Sequence, residues 1–288
     1  PGQDPAQQFK AAVVWVLHPR TVADVFETIS MYVLSELLLS GPSAPLYRAL
    51  LETRLGSGFA PMTGFEAYNK QPTFGVGIIG AEEDATARVP EIVLDTLEKV
   101  AMEGFPKERV DAILHQLELS SKHVTASYGL NAAMGILHTW MHGGDPIEAL
   151  QFDRWLSLLR DRVASGGFFE TLIRDRLLSN HHRVVAFQRP DAAYSSSLKQ
   201  EERKQLDAIR ASMKDSEAEV IVKESDELRK RQNAEANVSC LPTLTESDIP
   251  LSKPRVDVRI EGGEDTLRFT AQPTNGITYL NVLLDLSR

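Results

Sequence analysis

The sequence predicts an α+β layer fold, and three observations carry that expectation. The run Phe9 to Leu17 is apolar almost throughout and reads as a central strand. A second strand-like run, His182 to Gln188, closes the same region, and Pro190 ends it. Between the two lie long stretches whose apolar residues recur at helical spacing. Strands at both ends with helices between describe a sheet and helices layered around one core. The 288 residues suffice for one large domain or two ordinary ones. With 42% apolar and 25% charged residues, fibrous and largely disordered architectures are excluded.

The elements follow in order. Thr21 with Asp24 forms an approximate capping box. Val22, Val25, Phe26, Ile29 and Val33 then recur at helical spacing, which predicts a helix to about Leu39. Ser40, Gly41 and Pro42 stop it, and Pro45 opens a short helix through Leu51 and Leu55. Residues 57–81, rich in Gly, Phe and Thr, predict a pair of strands. Two long helices are expected near 84–103 and 107–128, separated by Gly104, with Pro106 at the first helical position. Further helices are expected at 129–142, at 146–163 behind Asp145-Pro146, and at 168–179. Together these elements make a first domain over 1–194.

The composition then shifts to Lys, Arg, Glu, Gln and Ala, with sparse apolar positions such as Leu206, Ile209, Val220, Ile221 and Leu228. Two antiparallel helices are expected, the second capped by Asp215-Ser216, and this charged hairpin reads as a linker over 195–240. Beyond Pro242 come three strand-like runs, 255–261, 266–272 and 277–286, with turns at Gly262-Gly263 and Asn275-Gly276. They are too few to close a core, so 241–288 reads as the opening strands of a truncated next domain. Both ends of the chain read as cuts in a longer polypeptide, with any targeting signal expected upstream.

Charge and cysteine usage narrow the function classes. A net charge of -9 argues against a nucleic-acid backbone as partner, since that needs a basic face. The longest uninterrupted apolar run, Ala11 to Leu17, is far short of the roughly 20 residues that span a bilayer, so no membrane partner is expected. Cys240 is the only cysteine, which excludes an internal disulfide and a thiolate zinc cluster and fits a reducing compartment.

Several motifs come close to known chemistry and fail on a specific residue. Gly75, Gly77 and Gly80 match G-x-G-x-x-G, but Phe74, Val76 and Ile78 alternate with the first two glycines, which places them inside a strand. A dinucleotide site needs them at the turn after a strand, where bare backbone meets pyrophosphate. His138 and His142 stand one helical turn apart, as in H-E-x-x-H peptidases, but Thr139 occupies the position of the general base. His115 and Glu118 begin an H-x-x-E-H motif that Leu119 breaks. No catalytic residue and no metal ligand set is therefore assigned.

A set of short runs carries a resemblance. The stretch from Leu39 through Gly41, Pro42 and Pro45 to Glu52, then Leu55 to Pro61, comes first. Glu103 to Pro106, His142 to Pro146, Arg189 to Asp191, Ser239 to Pro242 and Ala271 to Gly276 follow in the same order. Over essentially the whole chain these resemble the pitrilysin-type (inverzincin) clamshell metallopeptidases. The resemblance implies an antiparallel-rich sheet with helices packed on one face, followed by a helical hairpin and a short β segment. It places this chain as the second of four related domains, the hairpin between the two halves, and the start of the third domain. In such an enzyme a zinc ion in the first domain activates water to cleave presequences, which are basic amphipathic peptides, and other short unstructured peptides in the mitochondrial matrix. The first domain and the rest of the C-terminal half would be this segment's partners within the parent, and the segment itself would bind no zinc.

Comparison between the first and second domains of the family puts Tyr32, Ser35 and Glu36 in the H-x-x-E-H slot. Tyr and Glu replace both imidazoles and Ser replaces the base, so the equivalent site is expected to be dead. By the same resemblance, peptide contact falls near Gly41 and Pro42 and along Ser57, Gly58 and Gly64, through strand addition to an exposed edge. A different class of role, a catalytically inert relative serving as an assembly subunit, or a helical adaptor working through 197–237, is compatible with the same residues.

Overall fold

A computed structural model describes residues 4–17, 21–249, 251–252, 258–261 and 267–284. The described residues fall into two compact units, one within Pro1–Pro190 and Pro273–Arg288, the other within Asp191–Gln272.

The first unit is built on a five-stranded antiparallel sheet. Strand β1 (Phe9–Val16) is central, as its apolar sequence demands, with β4 (Thr73–Ala81) on one side and β5 (Arg183–Gln188) on the other. The short strands β2 (Gly58–Phe59) and β3 (Gly64–Glu66) both pair with the far side of β4, so the order is β2-β4-β1-β5 with β3 beside β2. Residues 57–81 thus form three strands where a pair was expected. The chain leaves the ladder between Phe59 and Gly64, where Pro61 has no N–H to donate.

Period-2 alternation decides which face is covered. Ala11, Val13 and Trp15 are buried, while Ala12, Val14 and Val16 are only half-buried. The buried face meets α1 (Val25–Leu39), a three-residue turn of helix α2 (Pro45–Tyr47) that continues as a π-helical turn over Arg48–Glu52, and α3 (Glu83–Glu103). Their contributions, among them Leu34, Leu37, Leu38, Leu50, Val89, Val93 and Leu97, join Trp15, Phe74, Val76 and Ile78 in one core. Helix α4 (Lys107–Lys122) adds Val110 and Leu114.

Boundaries differ from expectation where local chemistry is stronger than periodicity. Helix α1 starts at Asp24, whose Oδ1 accepts the Glu27 N–H at 3.0 Å. Thr21 is outside the helix, its carbonyl accepting the Asp24 N–H in a turn. Helix α4 ends at Lys122 rather than 128, because His123 is extended and Val124 and Thr125 are β-branched. Helix α5 (Tyr128–Met141) follows. The expected helix at 146–163 is broken at Gln151 (ψ 47°) into α6 (Pro146–Leu150) and α7 (Phe152–Ala164). The Glu148 carbonyl near that break accepts Trp155 Nε1–H at 2.8 Å. Helix α8 (Phe168–Ile173) and a π-helical turn over Arg174–Leu178 lead into β5.

In the second unit, α9 (Tyr194–Ser212) and α10 (Asp215–Asn233) follow one another across Met213-Lys214. Neither buries a residue, and Leu206, Ile209, Val220, Ile221 and Leu228 are all about half exposed or more. Strands β6 (Val258–Glu261) and β7 (Leu267–Thr270) pair antiparallel. The turn expected at Gly262-Gly263 lies outside the described residues. The turn at Asn275-Gly276 forms with both φ values positive (54° and 83°). It belongs to the first unit, and the run after it does not become a strand over its described part, 277–284, because no neighbouring strand accepts or donates a ladder of bonds there.

Candidate functional site

On α1, Val25, Thr28, Ile29, Tyr32, Glu36 and Leu39 form one stripe, since steps of three and four return to the same side of a helix. That stripe borders two cavities. The smaller, about 220 Å³, lies between Ser35, Glu36, Leu39 and Ser40 of α1 and the Phe59–Thr63 segment that follows β2. The larger, about 800 Å³, lies between Val25, Ile29 and Tyr32 of α1, the Phe65–Tyr68 segment, and helices α4 to α7, with α5 as its longest wall. Ser35, of the first cavity, accepts the N–H of Phe65, of the second, at 3.1 Å, so this hydrogen bond stands at their junction.

The residues in the H-x-x-E-H slot can be judged against the ion that such a helix would hold. Burial, with Glu36 adding to it, raises the Tyr32 phenol above its ordinary value, so it remains protonated and is a poor ligand. The Ser35 hydroxyl is not basic enough to take a proton from water, and its oxygen is engaged by Phe65. Glu36 is the one carboxylate left. Zinc does not fit this set, and among the described residues no group of three or more His, Cys, Asp or Glu side chains is placed to hold a metal.

The other near-motifs are occupied by structural work. Glu118 receives Lys122 Nζ at 2.8 Å and Arg160 Nη2 at 2.6 Å, and those bonds bring its carboxyl down to about 2. His142 Nε2 lies 3.2 Å from the Tyr68 carbonyl, and the His138 ring packs edge-on against the Tyr68 ring with centroids 6.3 Å apart. Burial, then the neighbouring His142, lowers His138 below the usual imidazole value. Gly75 and Gly77 lie within β4. A Cβ on Gly75 would sit 2.4 Å from the Met62 carbonyl oxygen, and one on Gly77 2.6 Å from that of Ala11. Close backbone approach within the sheet explains these glycines without a nucleotide.

The five residues expected to contact peptide are placed around the smaller cavity but not in its lining. Gly41 (φ +78°) and Pro42 form the exposed turn after α1. The Arg109 guanidinium holds that turn, donating to the carbonyls of Glu36, Leu37 and Ser40 and to Ser43 Oγ. Ser57 directs both its N–H (2.9 Å) and its Oγ (3.3 Å) at the Ile79 carbonyl. Gly58 opens β2 opposite Ile79. Gly64 (φ +113°) is buried, and a Cβ there would lie 3.1 Å from Ser35 Oγ. The structure therefore brings Gly58 and Gly64 to one sheet edge and leaves Gly41 and Pro42 at the end of α1.

What that edge offers is narrower than expected. Ala60 N–H bonds to the Gly77 carbonyl at 2.9 Å, so Phe59 and Ile78 are a non-hydrogen-bonded pair and the Phe59 N–H and C=O point away from β4. The next outward N–H in β3, that of Phe65, is taken by Ser35. Phe59, Met62 and Phe65 were missed in the sequence. The only trace of them there is an aromatic residue beside each glycine.

An antiparallel sheet helix-covered on one face, with a motif helix that has lost its ligands, defines an inactive peptidase domain of the pitrilysin type. The chain belongs to the M16 peptidases: residues 1–117 match the family described as Peptidase M16 inactive domain, and residues 189–288 the family described as associated with subgroup C of the M16 peptidases. It is 33% identical, over 99% of its length, to a protein of Schizosaccharomyces pombe named presequence protease, mitochondrial, and covers 29% of that protein. The protein of the same name from Mus musculus is 32% identical over 92% of this chain, which covers 26% of it. The chain thus spans under a third of these relatives. Among solved structures it is similar to a protease from Helicobacter pylori (TM-score 0.49, 17% identity, 65% of this chain and 42% of that one). It is also similar to a peptidase M16 inactive domain from Pseudomonas fluorescens (TM-score 0.40, 13% identity, 66% and 42%).

Proposed function

We propose that this chain is a non-catalytic wall of the peptide chamber in a zinc metallopeptidase that degrades presequences and other short unstructured peptides in the mitochondrial matrix. Residues 1–194 are the inactive peptidase-like domain, 195–240 the linker, and 241–288 the opening of the next domain. The single observation that carries this reading is the motif face of α1, where Tyr32, Ser35 and Glu36 stand in the ligand and base positions and Ser35 is spent on the Phe65 N–H. The likeness to mitochondrial presequence proteases over nearly the whole chain supports the substrate class and the compartment. Zinc belongs to the parent's first domain, which lies outside this sequence. Peptide contact falls on the β2–β3 edge near Gly58 and Gly64 and on the Gly41-Pro42 turn, with Phe59 supplying the outward backbone groups.

The test compares the intact parent with this 288-residue segment on a fluorogenic presequence peptide. The parent is expected to cleave it, to stop on chelation and to recover with zinc, while the segment with added zinc cleaves nothing. Turnover by the segment alone overturns the non-catalytic assignment. An intact parent that never cleaves, even with zinc, replaces the chamber reading by that of an inert assembly subunit.

A further inference from the structure

We infer that the 800 Å³ cavity between α1 and α5 is a second anchoring site for the same peptides, taking the apolar face of a basic amphipathic segment. This rests on the chamber reading and extends it to a site that no motif marks. The geometry begins with α1. The stripe that faces the small cavity beside the β2–β3 edge continues without a break toward the helix N-terminus, where Val25, Thr28, Ile29 and Tyr32 face the large one. On the other side, Phe59 and Met62 lead to Phe65 and Glu66. Both cavities therefore lie along one line between the same helix and the same segment of chain, with the Ser35–Phe65 bond at their junction. A peptide lying against this line reaches both.

The chemistry of the large cavity selects its occupant. Its size is in the range of sites that bury most of a ligand. Its lining is mainly apolar and aromatic, and Glu66 is its one carboxylate, with no Lys or Arg. That combination suits aliphatic or aromatic side chains on a segment that also carries a cation, and it disfavours an anionic ligand. Thr28 Oγ1, on the α1 wall, is buried and has no hydrogen-bond partner among the described residues, which leaves a donor and acceptor ready for a backbone group. Helix α5 is apolar along its length yet buries only Thr139, so the wall it forms is not filled from behind by its own domain. Its Met134 and Trp140, 60% and 59% exposed, present adaptable apolar surface beside the site.

Glycines on α5 supply the test. Gly135 lines the cavity, and a Cβ there meets nothing within 4 Å. Gly129 on the same helix is equally open but outside the lining. The experiment uses the intact parent and a fluorescein-labelled Leu/Ala/Arg peptide with one apolar and one basic face, read by anisotropy after chelation to prevent cleavage. Gly135→Phe is expected to weaken binding at least tenfold, Gly129→Phe to leave it unchanged, and Glu66→Gln to weaken it less than Gly135→Phe. The matched Ser/Ala/Arg peptide is expected to bind all variants alike. Ala132→Leu, which also intrudes on the cavity, carries the test if Gly135→Phe does not fold. Wild-type affinity in both cavity-filling variants overturns the inference while leaving the chamber reading intact. Failure of the metal-loaded parent to cleave any peptide overturns the chamber reading instead.

Discussion

Replacing Arg109 by alanine removes the group that ties α4 to the end of α1 and to the turn carrying Gly41 and Pro42. The last carbonyls of a helix have no partner inside it, and a cationic fork is well suited to them. Arg109 supplies that fork across 72 residues of sequence, with Nη2 at 2.8 Å from the Ser40 carbonyl and 3.1 Å from that of Leu37. A further contact at 3.2 Å reaches the Glu36 carbonyl, and Nη1 donates to Ser43 Oγ. Hydrogen bonds from a charged group are worth about 1.5–3 kcal/mol each on deletion, but water reaches the exposed ones, so the sum does not add. A net loss of about 2–3 kcal/mol is expected, equivalent to a fall in Tm of roughly 4–12 °C for a domain of this size. Far-UV circular dichroism with heat or urea measures it. Arg109→Lys, which keeps the charge but loses the planar fork, is expected to recover less than half. A Tm for Arg109→Ala within about 1 °C of the parent refutes the argument.

Ser35→Ala leaves the Phe65 N–H without its acceptor and is expected to cost about 1–2 kcal/mol, with faster hydrogen exchange at the Phe65 amide and little change elsewhere in β4. Gly77→Ala places a methyl group 2.6 Å from the Ala11 carbonyl oxygen, so a loss of about 1–3 kcal/mol in urea denaturation is expected, which near-neutral behaviour would rule out. The folded-state value of Glu118, about 2, lies below its ordinary 4.5. Its contribution is therefore fully present above pH 4.5 and is lost as the pH falls toward 2. Glu118→Gln is expected to flatten the pH dependence of unfolding in that window, and an unchanged slope there would count against the Lys122–Arg160 pairing.

Much of the first unit was legible because its signals are local. Phe9 to Leu17 became the central strand, the glycines at 75 and 77 proved to be strand glycines, and the Gly41 and Gly104 stops fell where their positive φ requires. Errors came where one local preference overrode another. Asp24 rather than Thr21 capped α1, and the β-branched pair after His123 ended α4 early. The peptide edge was placed at the right strands but on the wrong residues, since the glycines mark where backbone turns or crowds and the lining comes from Phe59 and Met62 beside them.

The amino-acid order by itself determined that the motif helix is dead. An imidazole or a general base is a matter of which side chain stands at 32, 35 and 36, and no folding changes that. It also determined element type, because caps, turn residues and apolar period act within a few residues of each other. Only the tertiary structure decided that Ser35 closes the β3 edge, that Arg109 holds the end of α1, and that α1 and α5 enclose a cavity. Each of these joins groups at least 30 residues apart in the chain. Their meeting depends on the path of the whole backbone, which no short stretch of sequence encodes.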